Sequence, residues 1–294
     1  MKKIKFFVLP VLLAFVVVSC DRENDSTINS LTEETSAYEQ ITNKFLTSIE
    51  HEVQSGSKTT YGFWGKFWKK LKVIGQADVE GAKIGNSITN EPAGAIIGGA
   101  IFSIAEIFEY VSLDLQEGLP NLLILDDVRN PENKFDSVGF NHYVVVNNFM
   151  NEIDSYRSIT DKKQLHSAIE ERVRKESEIL YPTQIVDNNL NFIEMYKNSK
   201  LKSGESYTVG SLYYDRVFPF NGSESDPKFI QISQLYALSY EAMKEEDITS
   251  FVEYSKDMEQ AVMNDKTLPI NVKDVLLIGM ATQRYGIKYY ASLQ

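Results

Sequence analysis

Residues 63–105 read FWGKFWKKLKVIGQADVEGAKIGNSITNEPAGAIIGGAIFSIA, and this stretch decides the fold class. Trp64, Phe67, Trp68 and Leu71 recur at three- and four-residue steps, which places them on one face of a helix. Small residues follow at four-residue spacing: Ala77, Gly81 and Gly85, then Gly94 and Gly98 beside Ala95, Gly99 and Ser103. Asn90-Glu91-Pro92 interrupts the pattern as a turn, with Asn90 as a cap and Pro92 in the first turn of the next helix. The expectation is two helices, 63–88 and 92–115, on either side of that turn. Glycine in a helix costs about 1 kcal/mol relative to alanine, so this many glycines need a compensating contact. Two backbones approaching through small residues provide one. The preferred reading is a hairpin inside the core; docking on a partner and insertion into a membrane are the alternatives. Only 13 uncharged residues, Ala93 to Ala105, precede Glu106 and Glu109, too few to span a bilayer, which needs about 20.

Outward from the hairpin the pattern stays helical. Ser36-Ala37-Tyr38-Glu39 is a capping box, and Tyr38, Ile41, Phe45, Ile49 and Val53 follow on one face until Gly56. Helices are also expected at 137–156, 161–180, 183–197, 227–244, 247–263 and 269–293. Within the first of these, Val144-Val145-Val146 would also suit a strand. Residues 121–136 read as a loop, and a short β-hairpin is expected near 206–218 in a stretch rich in Gly, Ser, Asp and Pro. No internal repeat is evident. The fold class is therefore mostly α, a multi-helix bundle in one domain over 36–294.

The amino terminus has a different design. Lys2, Lys3 and Lys5 precede the apolar run Phe6 to Val18, the layout of an export signal too short to cross a bilayer. Val17-Val18-Ser19-Cys20 then resembles the lipobox of bacterial lipoproteins, with an aliphatic residue at −3 and a small one at −1; Val18 at −2 is a departure. The resemblance implies cleavage of a signal peptide, 1–19, and diacylglycerol on Cys20, usually with a further acyl chain such as palmitate on the new terminus. Several chains are needed because each buried CH₂ contributes only about 0.8 kcal/mol. Cys20 is the sole cysteine of the chain, and a lone exposed thiol would be a liability in an oxidising compartment. Residues 20–35 are polar and nearly free of apolar side chains, a composition that cannot fold alone and suits a flexible tether. Its extended reach is on the order of 50 Å. Asp21, Glu23 and Asp25 fit loosely the acidic surface-export signal of Bacteroidetes lipoproteins. Ala77-Asp78-Val79-Glu80-Gly81-Ala82 and Gly139-Phe140-Asn141-His142 resemble elements of a set of uncharacterised Bacteroidetes envelope lipoproteins, which imply no particular activity.

The formal charge is −11, and all 41 acidic residues lie after residue 19, whereas three of the 30 basic ones lie before it. Such a surface argues against nucleic acid or anionic lipid as the main partner. With no second cysteine, stability must come from packing, which 16 Phe, 16 Tyr and 2 Trp can supply.

Catalytic motifs are not legible. The three histidines, His51, His142 and His166, form no HExxH, and no GxSxG, P-loop, dinucleotide-binding or EF-hand pattern occurs. Ser199-Lys200-Leu201-Lys202 fits SxxK by chance, without companion motifs, in what reads as a polar loop. His142, beside Val138 and Val145, reads as a core histidine. The acidic clusters Asp126-Asp127, Glu170-Glu171 and Glu245-Glu246-Asp247 read as solvated faces, since adjacent helical residues diverge. No cofactor or metal is implied. Trp64 and Trp68, with Tyr213, Tyr214 and Arg216 in the later loop, are the candidate interaction surface, although the loop aromatics equally suit a plug for one end of the core.

The functional expectation is a lipid-anchored extracytoplasmic binding or accessory protein of the cell envelope, held to the membrane through Cys20 and working with an envelope protein. Its alternatives are a lipid-anchored hydrolase with a site assembled from distant residues, and a toxin- or immunity-like protein acting on membranes.

Overall fold

Helical periodicity governs the whole fold: ten α-helices and no strand occur among the described residues, which are 37–49, 63–109, 122–203 and 226–292 of this computed structural model. In chain order they are α1 (37–49), α2 (Phe63–Thr89), α3 (Pro92–Glu109), α4 (Asp136–Met150), the short α5 (Ile153–Arg157), α6 (Lys162–Leu180), α7 (Phe192–Ser203), α8 (Pro227–Ala242), α9 (Ile248–Asn264) and α10 (Ile270–Ala291). The expected signal, tether and β-hairpin lie outside the described residues.

α2 and α3 form the glycine-lined hairpin. Gly81 meets the carbonyl of Gly98, and Gly85 meets that of Gly94, so closely that a Cβ on Gly81 or Gly85 would strike backbone. Asn90 turns the chain with φ of 55°, a left-handed conformation that asparagine tolerates better than most residues. Thr89 seals the turn: its Oγ1 donates to the Gly85 carbonyl at 2.8 Å and accepts from Glu91 N at 3.1 Å.

α3 is the centre of the bundle. It is buried from Ala93 to Ile107 and packs against α2, α4, α6 and α7. Among the described residues it is the one helix apolar enough over 18 residues to cross a membrane, with a mean hydropathy of 1.4, yet 83% of it is enclosed by the protein. The glycine helices are core.

α10 is buried nearly all round too, as expected of a helix without a continuous polar face. Ile278, Tyr285, Tyr289 and Tyr290 face the apolar cluster around α3, whereas Val272, Val275, Leu276 and Met280 face a second cluster with α1, α8 and α9. One helix is thus the wall shared by two cores. The flanking helices are amphipathic at matching intervals: His166, Ile169, Val173 and Ser177 are buried on α6, and Phe251, Val252, Tyr254, Ser255, Met258, Glu259 and Val262 on α9.

Boundaries follow local capping. Asp161 accepts from Gln164 N at 2.7 Å to start α6, and Asp226 accepts from Lys228 N and Phe229 N to start α8, as helix-end donors require. Four expectations need correction. The loop expected over 121–136 contains a 3₁₀ turn, Leu122–Val128, with Leu125 and Val128 buried. The helix expected at 137–156 breaks after Met150, giving α4 and α5. Its valines stay helical because Val145 and Val146 fill the core. The helix expected at 183–197 begins only at Phe192, because Asp187 first forms a turn with Asn189 N and Asn191 Oδ1 then accepts from Glu194 N at 2.9 Å. Ser199 and Lys202 accordingly belong to α7 and not to a loop.

Candidate functional site

The segments Ala77–Ala82 of α2 and Gly139–His142 of α4 meet in the core. His142 Nε2 of α4 lies 2.9 Å from Asp78 Oδ1 of α2, and Tyr143 donates its hydroxyl to Asp78 Oδ2 at 2.5 Å. All three side chains are fully buried. The tautomer that makes this bond carries its hydrogen on Nε2, and Nδ1 is left without a hydrogen-bond partner. The imidazole rests on α3 where a side chain is missing: a Cβ on Gly99 would lie 2.8 Å from Nδ1. Gly286 of α10 likewise leaves room for the Tyr143 hydroxyl, which a Cβ there would strike. Tyr289 and Tyr290 enclose Tyr143, with ring centroids 5.1 and 5.7 Å away. Burial, with the charge of Asp78 second, pushes the Tyr143 and Tyr290 phenols well above their usual range. The Tyr143 hydroxyl therefore stays protonated and serves as a donor to Asp78.

A second buried centre joins α4, α9 and α10. The fully buried Arg284 donates through Nε to Glu259 Oε1 at 2.9 Å and through Nη2 to Asp136 Oδ1 at 2.7 Å; its third nitrogen bonds the Val128 carbonyl. Asn130 and Asn133 donate to Glu259 Oε2 at 2.7 and 3.0 Å, and Tyr285 donates to Asp136 Oδ2 at 2.8 Å. An arginine fork between carboxylates, with every carboxylate oxygen accepting at least one hydrogen bond, is the arrangement that makes a buried charge tolerable.

Three lysines, buried Lys72 and Lys228 and half-buried Lys83, add to these polar groups. Lys72 of α2 reaches the end of α8, donating to the Glu241 and Met243 carbonyls at 2.7 and 2.5 Å, where a cation suits the helix C-terminus. Lys228 pairs with Asp265 at 3.1 Å, and Asp265 accepts from Tyr38 of α1 at 3.0 Å. Lys83 runs its stem past Gly279 and places Nζ 5.4 Å from the centroid of the Phe229 ring. Burial lowers Lys72 to about 8 and Lys83 to about 7.

Chemically, a carboxylate beside an imidazole is the pairing used for acid–base catalysis. Here Asp78, His142 and Tyr143 are covered by α3 and by the tyrosines of α10, so the arrangement ties helices together and presents nothing to a substrate. Among the described residues, no three His, Cys, Asp or Glu side chains form a metal-holding group.

The residues singled out from sequence fare differently. Cys20, Tyr213, Tyr214, Arg216 and His51 lie outside the described residues. Trp64 and Trp68 lie on α2, and their side chains are outside the described part; Leu71, next on that face, is buried. His142 is a core histidine, and His166 is buried with its pKa lowered by burial and then by Lys197 and Lys162. Asp126, Asp127 and Glu171 are exposed, and Glu170 pairs with Arg174 at 2.9 Å. Asp247 is the exception in these acidic clusters: it is buried and accepts from Lys244 N at 2.8 Å. Sequence reasoning missed Arg284, Glu259 and Asp136, which stand singly on three separate elements. The available signal was Arg284 as the one charged residue in the run Val275 to Ile287 of α10. Comparison with protein-family models, curated proteins and solved structures finds no match.

Proposed function

We propose that this chain is a lipid-anchored extracytoplasmic lipoprotein whose helical domain serves the cell envelope as a binding or accessory protein. The observation that carries the anchoring is Val17-Val18-Ser19-Cys20 after a basic start and an apolar run, with the one cysteine of the chain at the expected cut. Support for a binding role comes from the interior: Asp78, His142, Glu259 and Arg284 are fully buried and engaged in joining helices, which makes a rigid scaffold whose surface is the part available to a partner. The domain's acidic surface suits a protein partner better than nucleic acid or anionic lipid.

Two measurements test this. Cys20→Ala should release the protein from membranes; retention of that variant after a carbonate wash would overturn the anchor. Crosslinking in cells, followed by purification of the tagged lipidated chain with Cys20→Ala as control, should recover one envelope protein in near-equal amount. Recovery of none would count against the accessory role.

A further inference from the structure

We draw no further inference here: the strongest candidate, the apolar helix α3 at the centre of the glycine-lined hairpin, rests on a small-residue stripe and an apolar length that its burial in the core already accounts for, and nothing in the structure shows a ligand or partner that would draw it out.

Discussion

At the scale of single residues, the interior is held by a few charged groups whose loss has a calculable direction. Removing the Asp78 carboxylate leaves two buried donors, His142 Nε2 and Tyr143 OH, without their acceptor, and each orphaned group costs about 1–3 kcal/mol. Asp78→Ala is therefore expected to lower unfolding free energy by about 3–5 kcal/mol. A urea titration checks this, and a loss under about 1 kcal/mol would remove Asp78 from the set of stabilising ties. Arg284→Met breaks the other centre and strands Glu259 and Asp136, at an expected cost of about 3–5 kcal/mol. Because the two centres lie on different residues of α2, α4, α9 and α10, their effects should add when combined; strong coupling between them would mean that they form one network.

At the scale of elements, the α2–α3 hairpin reverses the ordinary ranking of helix formers. Alanine in place of an exposed helical glycine stabilises by about 1 kcal/mol. At Gly85 the added methyl meets the Gly94 carbonyl, a backbone atom that cannot step aside, so Gly85→Ala should destabilise by about 2 kcal/mol or more. Thermal unfolding followed by circular dichroism decides between the two signs. A cap offers a milder comparison: Asp226 accepts from two amides at the start of α8, and Asp226→Ala should cost about 1 kcal/mol. The hairpin was legible because glycines at four-residue spacing are too costly to leave unexplained. The late start of α7 was not, because the side chains of Asp187 and Asn191 claim backbone amides that a helical pattern alone would leave to the helix.

At the scale of the whole molecule, buried ionisable groups set an expected pH profile. Lys72 and Lys83 are lowered by burial to about 8 and about 7, against an ordinary 10.5. The folded protein then holds fewer protons than the unfolded chain from roughly pH 7 to 10, and stability rises with pH across that window. Tyrosines act in the other direction. Tyr143 and Tyr290 are raised well above the ordinary 10.0, and Tyr254 is raised to about 12. Above pH 10 the unfolded tyrosines ionise while the folded ones do not, so stability falls. The expected curve has its maximum on the alkaline side of neutrality, between about pH 8 and 10. Urea midpoints from pH 6 to pH 11 would show it, and a steady decline from pH 7 would mean that the two lysines are solvated in the folded state.

What the sequence determined by itself was local. Its periodicity and caps specify helices, and its glycine spacing specifies a close-packed pair. Each of these depends on neighbours within a turn or two of chain. The tertiary structure alone decided which residues meet. Asp78 and His142 are 64 residues apart in the chain, and Arg284 stands 148 residues from Asp136. It also showed that one helix, α10, closes two cores at once. Such pairings depend on how the apolar faces of separate helices stack, and a buried charge finds its partner only after that stacking is complete.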